Sequence, residues 1–252
     1  MARKPRPPQY WDDWYAGKAA TPAVREVMNR HLGLPPDLLT GIVPADAIAE
    51  FISELRLKPG DTLLDLACGW AGVGLTVARD SGAGFTGVDV SAEALAAARA
   101  QAARLGVVEA RFSVGDLTAS GLSDSSADAV LCTDAIQFPD DPSAAYREIR
   151  RVLKPAGRVA LTCWEPVDRN DQRLPDRIRH VDLAAGLAEA GFTGIEVHDR
   201  QAWLELEHAI WEEAVTIDPG DDPALVSFHD EGVRSLEIFP LIRRVLAVAT
   251  AP

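Results

Sequence analysis

Leu63-Leu64-Asp65-Leu66-Ala67-Cys68-Gly69-Trp70-Ala71-Gly72-Val73-Gly74 is the stretch on which the reading of the whole chain turns. An apolar run long enough for a buried strand meets a glycine-rich turn, and the turn opens a helix. Asp65 lies near the end of the run, where a parallel strand delivers its last side chains to a crevice and not to the core. Gly69, Gly72 and Gly74 let the backbone turn sharply, approach a ligand closely and pack the new helix on the sheet. A carboxylate so near the turn is the informative detail. A dinucleotide phosphate loop attracts anions with its amides, whereas a carboxylate here suits a ligand with a cationic amino group.

Working outward, strand and helix alternate. Thr62 to Leu66 is the first strand, launched by the turn Lys58-Pro-Gly-Asp61, and Val73 to Asp80 the helix after it. Gly84 to Val88 is a second strand with Asp89 at its end. Ser91 then caps an alanine-rich helix that stops at Gly106. Two such strands joined by a helix form a right-handed unit with both carboxylates on one edge. Ala110 to Val114, Ala127 to Cys132, Arg158 to Trp164 and Ile195 to His198 read as strands three to six, and Gly115-Asp116-Leu117 and Thr133-Asp134 extend the ligand edge. Leu241 to Thr250 reads as a last strand. The helical stretches Trp203 to Ile217 and Pro223 to Ile238 precede it, and an insertion of roughly 35 residues there implies a role at the ligand edge. Before the first strand, helical pieces broken by Pro22, Pro35, Pro36 and Pro44 carry the aromatic group Tyr10, Trp11, Trp14 and Tyr15. That group reads either as a face docked on the core or as a lid closing over the ligand, and Thr40 and Gly41 border the same pocket.

The fold expected is therefore α/β: a Rossmann-like, doubly wound sheet of seven strands, mostly parallel with an antiparallel last strand, as one domain spanning residues 1–252. Residues 1–57 are its N-terminal helical cap, 58–200 the cofactor-binding core, 201–238 the helical insertion and 239–252 the last strand. The bulk numbers agree: 252 residues, 47% hydrophobic, bury a large core. A net charge of −13 repels nucleic acid and anionic membranes. The short basic tail Arg3, Lys4, Arg6 has no apolar segment behind it, so it reads as a frayed end and not a secretion signal. Cys68, Cys132 and Cys163 are too few and dispersed for a disulfide framework or a metal site, which implies reduced packing residues, no metal and a cytoplasmic protein, monomeric or homodimeric.

The series Leu64-Asp65-Leu66-Ala67-Cys68-Gly69, Gly87-Val88-Asp89-Val90-Ser91, Gly115-Asp116 and Arg151-Val152-Leu153-Lys154-Pro155-Ala156-Gly157-Arg158 resembles the class I S-adenosylmethionine-dependent methyltransferases. Within that class it is most similar to the small-molecule enzymes of the ubiquinone and menaquinone biosynthesis type and their secondary-metabolite relatives. The likeness spans about Lys58 to Ala190. It implies that Asp65, Ala67 and Gly69 surround the methionine part of S-adenosylmethionine, that Asp89 accepts both ribose hydroxyls, and that Asp116 holds the adenine amino group with Val90 and Leu117 beside the ring. Thr133 and Asp134 then lie where methyl donor and acceptor meet, and Tyr15 belongs to the cofactor site if the aromatic segment is a lid. Glycine is usual in the family where this chain has Ala67 and Ala71, a small residue where it has Trp70, and histidine near Gln137.

Methyl transfer to a small molecule, with S-adenosylhomocysteine as the other product, asks mainly for alignment and exclusion of water, and for a base only when the acceptor is a poor nucleophile. Asp134 and His180 are the catalytic candidates, ahead of His198, His208 and Glu165. Gln137, Trp164 and Trp203 are the substrate-side candidates, with Trp211 as a further wall residue. A nicotinamide-dependent dehydrogenase is disfavoured by Asp65 and by the lack of a Tyr-x-x-x-Lys pair. A nucleic acid or protein methyltransferase is disfavoured by the acidic charge and the lack of an Asn/Asp-Pro-Pro-Tyr/Phe motif. A relative that keeps the cofactor pocket without transferring methyl stays open.

Overall fold

The structure, a computed structural model, describes residues 7–19 and 21–252. The basic tail Arg3, Lys4 and Arg6 lies outside them. In chain order the elements are α1 (Pro8–Ala19), α2 (Pro22–Leu32), α3 (Asp46–Leu55), β1 (Thr62–Leu66), α4 (Gly72–Ser81), β2 (Gly84–Asp89), α5 (Ala92–Leu105), β3 (Arg111–Val114) and β4 (Ala127–Thr133). There follow α6 (Pro142–Val152), β5 (Leu153–Pro166), α7 (Asp176–Arg179), α8 (Leu183–Glu189), β6 (Thr193–Asp199), α9 (Gln201–Ala214), α10 (Pro223–Ile238), a single 3-10 turn (Phe239–Leu241) and β7 (Ile242–Thr250).

The sheet has seven strands in the order β3-β2-β1-β4-β5-β7-β6. β1 to β5 pair in parallel, and β7 enters antiparallel between β5 and β6. The order reverses direction between β1 and β4, so the crevice opens beyond the C-terminal ends of those two strands, where such sheets bind ligands. Two apolar layers cover the faces. One packs α6 and α8 on the sheet through Tyr146, Ile149, Leu183 and Leu187. The other packs α3, α4 and α5 through Phe51, Leu75, Val77 and Ala98.

Several helices begin and end on the capping residues that the sequence offers. Ser91 Oγ accepts the Ala94 amide at 3.1 Å, capping α5, and Gly106 ends it in the left-handed region at φ 76°. Asp141, with Pro142 behind it, opens α6 in the same way. β5 is longer than the sequence suggests: the Lys154-Pro155-Ala156-Gly157 segment stays in the strand with Ala156 at φ 63°, and the register against β4 shifts between Ala127 and Ala129.

The elements outside the sheet form a third apolar cluster. Val24 and Val27 of α2 meet Ile210, Trp211 and Ala214 of α9 and Phe228 of α10, with Leu174 and Ile178 from the segment around α7. This layer lies over the ligand edge and roofs the crevice. Among the described residues no helix is long and apolar enough to cross a membrane, and the three cysteines are free thiols.

Candidate functional site

A cavity of about 710 Å³ occupies the crevice, floored by the loops after β1, β2, β3 and β4 and walled by α1, α2, α9 and α10. A pocket of this size takes a ligand of drug-like dimensions or larger.

The glycine turn forms its floor. Ala67, Gly69 and Ala71 all take positive φ, at 60°, 52° and 58°. The family-typical glycines at 67 and 71 are thus replaced by alanine without loss of the turn, at about 1 kcal/mol of backbone strain for each methyl. The two following glycines cannot be replaced so easily. A Cβ on Gly72 would lie 2.1 Å from the Leu39 carbonyl oxygen, and one on Gly74 would lie 2.2 Å from Asp65 Oδ2. Gly74 therefore lets α4 close directly over the Asp65 carboxyl. Gly69 answers to Tyr15, whose hydroxyl oxygen would stand 2.6 Å from a Cβ there.

Trp70, the other departure from the family pattern, is the surface on which α1 docks. Trp14 stacks on it with ring centroids 6.3 Å apart, and Tyr15 meets it edge-on at 5.2 Å. At the other end of that contact Asp12 accepts hydrogen bonds from Ser91 Oγ at 2.6 Å and the Glu93 amide at 3.3 Å, which ties α1 to the start of α5. The aromatic segment is therefore both of the things its composition suggested: it packs on the domain and it closes one side of the cavity.

Asp65 is buried, and its Oδ1 has no hydrogen-bond partner among the described residues. Burial and the neighbouring Asp89 carboxylate push the Asp65 carboxyl up to about 8. Asp89 is better supplied: Oδ2 accepts the Gly69 amide at 2.8 Å and Oδ1 the Ser91 amide at 2.9 Å. Burial still moves its pKa upward against those bonds. Two buried carboxyls side by side with no cationic side chain paired to either, among the described residues, constitute a site for a cation. S-adenosylmethionine carries a cationic ammonium and a sulfonium, so these residues fit it. Asp116 accepts from the Thr118 amide at 2.7 Å, and Val90, Leu117 and Thr133 line the same cavity.

On the acceptor side, Asp134 sits in the left-handed region at φ 56° directly after β4. Both of its oxygens are engaged: Oδ1 accepts Thr162 Oγ1 at 2.7 Å, and Oδ2 accepts Arg244 Nη2 at 2.7 Å. Gln137 turns back on this loop, its Nε2 donating to the Asp134 carbonyl at 2.8 Å. Arg244 comes from β7 and is 1% exposed. Its guanidinium lies over the Trp164 ring at 4.3 Å and also donates to the Ile42 carbonyl at 3.0 Å. Trp164 Nε1 in turn donates to Glu207 Oε2 at 2.8 Å, and Trp211 Nε1 to Glu207 Oε1 at 3.2 Å.

Of the residues singled out from the sequence, Asp65, Ala67, Gly69, Asp89, Val90, Asp116, Leu117, Thr133, Asp134, Gln137, Trp164 and Tyr15 are brought together around the cavity. His180 and Trp203 are not. His180 is exposed at the end of the short helix α7, and α8 starts only at Leu183, where the Asp182 side chain accepts the Ala185 amide. Trp203 is buried against Phe51 of α3, with ring centroids 6.2 Å apart, on the opposite end of α9 from the cavity. None of the five histidines lines the cavity. Glu165 is used elsewhere, accepting the Leu183 amide at 2.8 Å and pairing with Arg243 at 2.6 Å.

Sequence reasoning missed Glu207 and Arg244. A signal for Glu207 existed: Trp203, Glu207 and Trp211 recur every four residues, so a carboxylate stands in the middle of an apolar row on α9.

Comparison with known proteins places this geometry. Residues 64–161 match the family described as "Methyltransferase domain". The chain is 34% identical over 128 residues to botryococcene C-methyltransferase of Botryococcus braunii, covering 50% of this chain and 34% of that protein. It thus spans about a third of the length of that relative. Among solved structures it superposes on the [4+2]-cyclase SpnF with a TM-score of 0.76 at 22% identity, covering 100% of this chain and 98% of the other. It also superposes on phosphoethanolamine N-methyltransferase 2 of Haemonchus contortus, solved with phosphomonomethylethanolamine and S-adenosylhomocysteine, with a TM-score of 0.75 at 19% identity over 96% and 60% of the two chains.

Proposed function

We propose that this chain, whose residues 64–161 match the methyltransferase domain family, depends on S-adenosylmethionine and transfers its methyl group to a flat, apolar small molecule of the quinone or secondary-metabolite kind. The observation that carries the reading is the buried Asp65 carboxyl with an unpartnered oxygen at the end of β1, next to Asp89 and roofed by aromatic side chains. Bound there, the cofactor supplies a methyl carbon already activated by its sulfonium.

The work left to the protein is positional. Asp65 neutralises the ammonium, and Asp89, fixed by two backbone amides, turns its remaining lone pairs to the ribose hydroxyls. Asp116 and Leu117 border the base. Trp11, Trp14, Phe138, Trp164, Trp211 and Phe239 present an apolar wall to the acceptor and exclude water from the reacting centre. Holding acceptor and methyl carbon in line in such a cavity supplies the main rate advantage.

The test is incubation with methyl-labelled S-adenosylmethionine and a small-molecule extract. Label appearing in low-mass, organic-soluble compounds supports the proposal, and label confined to macromolecules refutes it. A second reading, a cofactor-binding relative that catalyses another reaction, is favoured by the full-length likeness to the cyclase, which extends over the roof as well as the sheet. It predicts tight S-adenosylmethionine binding with no label transferred at all.

A further inference from the structure

Glu207 is a buried carboxyl group that the positional account above leaves without a task. It is 4% exposed, and it lines the cavity wall from α9. Each oxygen receives one indole N–H, from Trp164 at 2.8 Å and Trp211 at 3.2 Å, so each retains a free lone pair. The two bonds hold the position and plane of the carboxylate, an arrangement that orients without neutralising. Trp164 lies near the end of β5, next to Asp134 across Arg244, so Glu207 belongs to the same acceptor-side cluster as the loop after β4.

The Asp134 carboxylate, by contrast, is committed to an ion pair. Asp134 is held by Arg244 Nη2 and Thr162 Oγ1 at 2.7 Å each. Glu207 makes no ion pair among the described residues, and burial pushes its carboxyl up to about 7, with Arg244 and the indole donors pulling against that rise and Asp134 adding to it. Arg25 of α2 and Glu231 of α10 face the same cavity. A carboxyl poised near neutrality, free of a counter-ion and open only to the cavity has the features of a general base.

We propose that Glu207 is the catalytic base of this enzyme, taking the proton of a hydroxyl group on an otherwise apolar acceptor as its oxygen is methylated, with Trp164 and Trp211 as its positioning residues. The inference rests on the methyl-transfer reading. The acceptor O–H bond breaks and its proton goes to a Glu207 oxygen. The oxygen electron pair forms the new bond to the methyl carbon, while the pair of the breaking carbon–sulfur bond stays on sulfur, leaving a neutral thioether. Glu207 returns its proton to water when the product leaves. A hydroxyl needs this help because the neutral oxygen is a weak nucleophile, whereas an amine or a thiolate does not.

The probes are 2-naphthol and a series of substituted phenols of graded acidity, with methyl-labelled S-adenosylmethionine. In the wild type, with S-adenosylmethionine saturating at every pH, kcat/KM for 2-naphthol should rise with pH through about 7. Glu207→Gln should lower kcat about 100-fold or more and remove that rise. Phenols acidic enough to be ionised already should regain most of the loss, and Glu207→Asp should regain part of it. Independently of turnover, tryptophan fluorescence should titrate near pH 7 in the wild type, through the two indoles bonded to Glu207, and stay flat in Glu207→Gln. S-adenosylmethionine affinity by calorimetry should change less than twofold. A retained pH rise in Glu207→Gln, a uniform loss across all phenols, or no transfer to any phenol by a wild type that binds S-adenosylmethionine overturns the proposal. Failure of the wild type to bind S-adenosylmethionine overturns the function beneath it instead.

Discussion

On the proposed function, the Asp65 carboxyl, which has no cation paired to it among the described residues, makes cofactor binding a proton-linked event. With its carboxyl pushed up to about 8 by burial and by Asp89, Asp65 is protonated in roughly nine of ten ligand-free molecules at pH 7. An ammonium group placed against it reverses the balance, because an opposite charge at contact favours the ionised form. Cofactor binding at pH 7 should therefore release close to one proton, about 0.9 by the same arithmetic. The apparent affinity should rise roughly twentyfold between about pH 6 and pH 7.5, above which the ligand's own amino group begins to lose its charge. Isothermal calorimetry in two buffers of different ionisation enthalpy reads both quantities. Asp65→Asn should bind weakly, with no proton released. The ligand-free protein should show the complementary trend in stability. A group whose pKa is raised on folding contributes fully below its unfolded value near 4, and that contribution is lost as pH rises through the folded value. Thermal midpoints should thus fall from about pH 5 to pH 8 and fall less with saturating cofactor. Flat affinity over this range with no buffer-dependent heat would refute the cationic reading of the site.

Three further outcomes follow from the same geometry. Gly72→Ala would place a methyl 2.1 Å from the Leu39 carbonyl oxygen, a backbone atom with nowhere to go; it should cost about 1–3 kcal/mol of stability by denaturant unfolding, whereas Gly17→Ala, with open space around it, should cost nothing. Asp89→Ala removes the carboxylate bonded to the Gly69 and Ser91 amides, and S-adenosylmethionine affinity should fall by about 1.5–3 kcal/mol per lost charge-assisted bond; unaltered affinity by calorimetry would remove Asp89 from the ribose. Deleting residues 1–20 strips the wall formed by Trp14 and Tyr15, so turnover should drop far more than the unfolding midpoint, and unchanged kinetics would show that α1 is not part of the site.

How much of this was legible beforehand depended on whether a residue's role is fixed locally. Asp65, Asp89 and Asp116 stand at the ends of strands, and a strand's last side chain goes to the ligand edge whatever the rest of the chain does. The sheet, with its antiparallel β7, followed from the same strand-by-strand pattern. His180 and Trp203 failed because their direction is set by contacts distant in sequence: α7 turns His180 outward, and Phe51 of α3 captures Trp203.

The acceptor side shows the same limit more sharply. Arg244 lies in Ile242-Arg243-Arg244-Val245-Leu246, which reads as an ordinary apolar strand entered by two surface cations. Arg243 does pair near the surface, with Glu165 and Asp199. Strand alternation then sends Arg244 to the other face, where it crosses to Asp134, 110 residues away, at 2.7 Å. That pairing is what changes the chemistry. By occupying Asp134, Arg244 takes the acid favoured on strand position out of the reckoning as a free base, and Glu207, bonded only to two indoles, is the buried carboxyl that remains on that side of the cavity. Burying the guanidinium is costly unless it is paired and stacked, and Asp134, the Ile42 carbonyl and the Trp164 ring meet that requirement on three sides. Arg244 Nη1 is still left without a partner among the described residues, so this charge is retained at a stability cost. A hydrophobic residue would fill the same space on β7 more cheaply. The arrangement makes sense where the Asp134 side chain must be held in one position on the cavity wall while a different acid handles the proton.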